Sequence, residues 1–323
     1  MSKKFVATLA LGTALLAGST AYAQISATEI FSTTFDDAAS GSDFAVIDSA
    51  GNTSIANINA GNNNIEFGAD YSALEGPSGS AVTEAPNSGG AAATSGVVID
   101  AGNGSSSGAA FVYDTTLPDD WRVTFDFYDA YVGGGGSTEN VFISANASGT
   151  TYNGATLGET TSDTGARDGY LFTIFGDYDV SGGDYYIEEG SATDGLLPGN
   201  ILSPLGDDTL TGVSWGDGLD PDSGARDVAG TDVTGGDADS DTFQDLFTDA
   251  FPDAQDAGGN PRPGGTINQW STFVVDYVNG VLSISANGVE LVSYADPDST
   301  WSTGKIMLGF EDWFAGGAAD SHY

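Results

Sequence analysis

Four aspartates, Asp237, Asp239, Asp241 and Asp245, are the carboxylates whose spacing most directly suggests chemistry. Three fall at alternate positions, and a flexible loop carrying them offers hard oxygen ligands to Ca²⁺, which takes six to eight of them. The run departs from an EF-hand loop. Counted from Asp237, the sixth position is Thr242 rather than glycine and the twelfth is Thr248 rather than glutamate. Asp217, Asp220 and Asp222 make a looser cluster of the same kind. The same stretch supports a second reading. Phe243, Leu246, Phe247 and Phe251 fit one face of a short helix, whose N-terminus Asp239 and Asp241 would cap and whose dipole they would complement. Calcium is the cofactor expected under the first reading, and a solvated surface under the second.

Aromatic residues form the other candidate site. Trp301 and Trp313 lie in or beside predicted loops, and Asp312 adjoins Trp313. An exposed indole stacks on the apolar face of a sugar ring while a neighbouring carboxylate accepts hydrogen bonds from hydroxyls, so Trp301, Asp312 and Trp313 are the expected carbohydrate contacts. Packing at a sheet edge is the alternative for both tryptophans. Trp121 and Trp270 lead alternating strands and are assigned to the core.

Several chemistries are excluded by composition. There is no cysteine, so disulfides, thiolate metal sites and cysteine nucleophiles are absent. The one histidine, His322, is the penultimate residue, which leaves no Ser-His-Asp triad and no histidine-rich zinc site. Glu188 and Glu189 point to opposite faces of a strand and cannot act as a pair.

The elements that must position these residues are strands. Apolar–polar alternation dominates over helical periodicity. In the segment WRVTFDFY, Trp121, Val123, Phe125 and Phe127 point one way while Arg122, Thr124, Asp126 and Tyr128 point the other, as in a half-buried antiparallel strand. Further strands are predicted over residues 30–35, 44–47, 64–67, 96–99, 109–113, 141–144, 170–175 and 185–188. The strongest local signal comes later. Asn279-Gly280 separates a strand over 270–278 from one over 281–286, and Asn287-Gly288 separates that from one over 289–294. Asn-Gly supplies the positive φ angles that a type I′ turn requires, so a three-strand meander is predicted. A last strand covers 305–310. The chain then ends at Tyr323 where another strand could start, which predicts a sandwich lacking at least one closing strand. Residues from about 207 to 265 interrupt the pattern as an Asp-rich insertion. Residues 207–256 hold 14 Asp, no Glu and one basic residue, Arg226.

The charge balance is extreme: 7 Lys+Arg against 46 Asp+Glu, a formal −39. Residues 1–23 read as a secretory signal, with Lys3 and Lys4 ahead of an apolar run too short to span a bilayer and Ala21-Tyr22-Ala23 as the cleavage site. Removing them leaves five bases against 46 acids, or −41. Clustered Lys/Arg for phosphate neutralisation is missing, so nucleic acid and anionic lipid surfaces are excluded as partners. No later segment is long and apolar enough to span a membrane. A surface of unpaired acids repels itself, and salt relieves that repulsion; a secreted, halophilic or marine protein is expected.

Residues 270–294, WSTFVVDYVNGVLSISANGVELVSY, place a Trp-led strand, an Asn-Gly turn, an alternating strand and a second Asn-Gly before a short apolar strand. This resembles the concanavalin A-like lectin or laminin-G-like superfamily. Residues 305–314, KIMLGFEDWF, resemble the strand that follows in bacterial secreted members. The resemblance implies a two-sheet jelly roll, often with calcium and carbohydrate binding. Glycoside hydrolases of the superfamily carry E-x-D-x-x-E or E-x-D-x-E on a strand, and neither pattern occurs here. The expectation is an all-β, two-sheet antiparallel sandwich over 24–323 that binds extracellular glycan without cleaving it. The alternatives are a structural or adhesive protein of the same fold and a polysaccharide-cleaving hydrolase.

Overall fold

The fold was analysed from a computed structural model that describes residues 31–33, 35, 38–61, 63–74, 76–88, 94–101, 107–130, 139–153, 169–175, 185–189, 201–202, 249–255, 258–261, 266–295 and 303–312. Thirteen strands are present among them: β1 Phe44–Asp48, β2 Asn64–Asp70, β3 Ser95–Asp100, β4 Ser107–Tyr113, β5 Trp121–Tyr128, β6 Glu139–Ala147, β7 Tyr170–Phe175, β8 Tyr185–Glu189, β9 Ile201–Leu202, β10 Trp270–Val278, β11 Val281–Ala286, β12 Val289–Ala295 and β13 Lys305–Asp312. They form a six-stranded sheet ordered β1-β4-β13-β6-β7-β8, a five-stranded sheet ordered β5-β10-β11-β12-β9 and a two-stranded ribbon, β2-β3. Every strand-to-strand ladder is antiparallel.

The main core lies between the two large sheets. The five-stranded sheet contributes Trp121 from β5, Phe273, Val275 and Tyr277 from β10, and Leu282, Ile284 and Ala286 from β11. The six-stranded sheet contributes Val141, Ile143 and Ala145 from β6, Tyr170 and Phe172 from β7, and Ile306 from β13. The rings of Phe125 and Phe273, opposite one another in the β5–β10 register, stack with centroids 5.4 Å apart. Inside this core the indole Nε1 of Trp121 donates to Asn146 Oδ1 at 3.0 Å, so the polar handle of the ring is satisfied without reaching solvent.

Two further clusters occupy the six-stranded sheet. The β2-β3 ribbon closes over its β1–β4 end, packing Ile65, Phe67, Val97 and Ile99 against Val46, Ala109 and Phe111. The opposite face of the sheet buries Ile47, Ala110, Val112, Phe142, Leu171 and Met307. Both faces of the central strands are thus covered, and residues 141–147 of β6 are buried without interruption. Such strands carry near-continuous small and apolar runs rather than alternation.

Both Asn-Gly turns have the predicted geometry, with Asn279 at φ 54° and Gly280 at 76°, and Asn287 at 51° and Gly288 at 84°. Two expectations are corrected, and one short strand was not predicted. Among the described residues of 30–35, none is in a strand. The two-residue β9 had no recognisable signal, because a strand that short has no period to read. Trp270 does not join the core: it shares its side of β10 with Thr272, Val274 and Asp276, on the outer face. Of the predicted helix near 243–251, residues 249–250 are helical and Phe251 is fully buried against Phe273; Phe243, Leu246 and Phe247 lie outside the described residues.

Candidate functional site: an aromatic and polar ledge on the outer sheet face

The strand register decides which residues face outward from the five-stranded sheet. Pairing of β5 with β10 sets Tyr128 beside Trp270, Asp126 beside Thr272, Thr124 beside Val274 and Arg122 beside Asp276. At the far end of this face Arg122 makes a two-pronged ion pair with Asp276 through Nε and Nη2. At the near end three aromatic rings gather. Trp270 meets Tyr128 at a centroid distance of 5.3 Å and Tyr71 at 5.2 Å, both inclined rather than parallel.

Tyr71 arrives from the segment that follows β2. Asp70 caps the single 3-10 turn Tyr71–Ala73, accepting from the Ser72 amide at 3.1 Å, the Ser72 hydroxyl at 2.6 Å and the Thr94 hydroxyl at 2.6 Å. These hydrogen bonds, from Ser72 first and then Thr94, hold the Asp70 carboxyl below its usual range. The chain then crosses the sheet. Thr83 O accepts the Trp270 indole N–H at 2.8 Å, and the Ala85 amide donates to Tyr71 Oη at 3.0 Å. Asn87 reaches Asp126, donating from its backbone amide to Oδ2 and from Nδ2 to Oδ1, each at 2.7 Å. Thr272 Oγ1 donates to the same Oδ1 at 2.7 Å.

The result is a half-buried indole rimmed by polar groups. Thr83, Glu84 and Asn87 are exposed, and Glu84 accepts from Ser88 Oγ through Oε1 at 2.6 Å. Burial pushes the Tyr71 phenol up, and the carboxylates of Glu84, Asp126 and Asp70 add to the shift against a lowering contribution from the Ala85 amide. Burial, with Asp129 next, pushes the Tyr128 phenol up to about 12. Both phenols therefore stay neutral across the physiological range, and the ledge offers ring faces, hydroxyls, amides and carboxylate oxygens rather than a titrating base.

Of the residues expected from sequence to contact carbohydrate, Asp312 closes β13 in register with Ser107 and Glu139. Trp301 and Trp313 lie outside the described residues, as do Asp237, Asp239, Asp241 and Asp245. Among the described residues no group of three His, Asp or Glu side chains is placed to hold a metal ion. The ledge itself was legible in part. Parity along β10 already puts Trp270 with Thr272 and Asp276, and parity along β5 puts Tyr128 with Asp126 and Arg122. The contribution of 71–88 was not, because no local pattern tells which sheet a loop will cross.

No known family model matches the chain, and no curated protein matches it. Among solved structures it is similar to the carbohydrate recognition domain of Emp46p in its potassium-bound form, at 9% identity and TM-score 0.35 over 68% of this chain and 75% of that one. It is also similar to a galectin-like protein of unknown function from Bacillus subtilis, at 12% identity and TM-score 0.30 over 68% and 74%. A third is the carbohydrate binding module CBM66 from Bacillus subtilis, at 11% identity and TM-score 0.27 over 67% and 76%. What the strand register fixes directly is the fold: a two-sheet antiparallel β-sandwich with an added ribbon.

Proposed function

We propose that this chain is a secreted, non-catalytic glycan-binding module, and that the ledge around Trp270 is where sugar docks. The observation that carries the reading is a half-buried indole on the solvent face of a rigid sheet, ringed by the exposed polar side chains of Thr83, Glu84 and Asn87. An apolar ring face combined with a small set of fixed hydrogen-bonding groups is what a pyranose requires. The acidic surface supports the partner class by exclusion, since 46 acids against 7 bases repel polyanions. Export is supported by residues 1–23, and a calcium contribution by the alternate spacing of Asp237, Asp239, Asp241 and Asp245.

The competing reading is a structural or adhesive surface protein. It is favoured by Asp126, whose oxygens are committed to Asn87 and Thr272 and so serve to pin the 71–88 segment. Affinity electrophoresis of the full chain through gels containing neutral polysaccharides, with calcium or with chelator, separates the two. Retardation by at least one polysaccharide is expected. Trp270→Ala and Glu84→Ala, checked for folding by circular dichroism, should each weaken it by about 3- to 10-fold, the worth of one stacking or hydrogen-bonding contact. No retardation in any gel selects the structural protein. Retardation unchanged in both variants places the sugar elsewhere. Identical mobility and melting in calcium and chelator removes calcium from the reading.

A further inference from the structure

The two Asn-Gly turns of the β10–β11–β12 meander share one backbone geometry, but their asparagine side chains are held very differently. At the second turn the amide of Asn287 is fixed at both ends. Its Oδ1 accepts from the Thr272 amide at 2.9 Å, and its Nδ2 donates to Ala250 O at 2.7 Å. Its backbone is tied as well, with the Asn287 amide donating to Thr272 O at 2.8 Å. At the first turn only the backbone amide of Asn279 is engaged, donating to Asp120 Oδ1 at 2.8 Å. The Asn279 side chain is exposed and makes no hydrogen bond to any of the described residues.

We infer that Asn279-Gly280 is a site of spontaneous deamidation in the folded protein and that Asn287-Gly288 is protected by the fold. Asn-Gly is the dipeptide most open to this chemistry, because glycine has no side chain to obstruct attack by its own amide nitrogen. The Gly280 nitrogen attacks Cγ of Asn279, the new N–C bond closes a five-membered succinimide, and the side-chain nitrogen leaves as ammonia. The amide proton is lost to solvent, and the leaving nitrogen takes one up. Water then opens the ring at either carbonyl to give aspartate or isoaspartate, so the net change is asparagine and water to acid and ammonia. Ring closure requires the carboxamide to rotate onto the following nitrogen. At Asn279 no side-chain hydrogen bond among the described residues opposes that rotation. At Asn287 it requires both side-chain hydrogen bonds, to the Thr272 amide and to Ala250 O, to break.

The two turns also differ in what the product does. A carboxylate at 279 stands beside Asp120, and isoaspartate inserts an extra methylene into a two-residue turn that sets the Val278–Val281 pairing and the register behind it. Deamidation at this position therefore loosens the hairpin from its turn end.

The test uses the full chain, incubated at mildly alkaline pH in native buffer and, in parallel, in strong denaturant. Peptides spanning the two turns are resolved by mass spectrometry and assayed for isoaspartate. In native buffer the 279 site should convert about 10- to 30-fold faster than the 287 site, the factor expected from two hydrogen bonds of ordinary net strength. In denaturant the two rates should converge. Native-state rates that are equal, or faster at 287, overturn the inference. So does a 279 site that stays intact in native buffer while the denatured chain converts. Asn279→Ser should abolish the native-state signal and leave the slow conversion at 287 in place.

Discussion

Tyr128 carries two burdens at once: its ring packs on Trp270, and its phenol is pushed up to about 12 by burial and by Asp129. The folded state therefore favours the neutral phenol more than the unfolded chain does, where the ordinary value is 10.0. A group with a raised folded value contributes stability that is complete below its unfolded value and is lost as pH climbs through the folded one. Denaturant midpoints should consequently fall between pH 10 and about 12, and Tyr128→Phe should flatten that limb. A variant whose alkaline limb matches the parent would show that other groups set it. Asp70 has the opposite sign. Held below its usual value by Ser72 and Thr94, it contributes above the ordinary carboxylate range and loses that contribution as the pH falls through its folded value. Residue by residue, parity placed Trp121 in the core correctly and should have placed Trp270 outside it.

Among the elements, β13 is the one on which the six-stranded sheet depends. It lies between β4 and β6, although it is the last described strand in the chain. Its Gly309 pairs with Ala110 on one side and Phe142 on the other. A Cβ there would stand 2.2 Å from Cζ of Phe142 and 2.9 Å from the carbonyl oxygen of Ala109. Gly309→Ala should therefore cost about 1–3 kcal/mol by overpacking, read from urea unfolding, with the Phe142 ring forced to move. A neutral result would mean that the outer-face cluster of Phe142, Leu171 and Met307 has slack that the close packing does not suggest. The meander and β13 were legible because turn chemistry and strand period agree over those residues. The strand over 30–35 was not borne out among the described residues, since an isolated apolar stretch cannot reveal whether a partner strand will present an edge to it.

At the scale of the whole molecule, electrostatic repulsion is the dominant background. Among the described residues two ion pairs relieve it, Arg122 with Asp276 and Lys305 with Asp114, and both lie at the surface, where such pairs contribute little. The remaining acids interact over distances that added salt shortens, with screening reaching about 10 Å at 0.1 M. The melting temperature should therefore rise as NaCl is raised from low ionic strength. A flat or falling dependence would mean that the acids are placed far enough apart, or held closely enough by bound cations, for repulsion not to limit stability.

By itself the sequence determined the all-β class, the two type I′ turns, the direction of alternation in β5 and the absence of thiol chemistry. Each follows from local period, from the positive φ that Asn-Gly accepts, or from residue counts that folding cannot alter. Only the tertiary structure decided that the central strands of the six-stranded sheet are buried on both faces, that β13 inserts between β4 and β6, and that the 71–88 segment crosses the outer face to build a ledge around Trp270. Those outcomes rest on contacts between residues far apart in the chain. Asn87 to Asp126, and Thr83 to Trp270, have no signature in the residues that flank them.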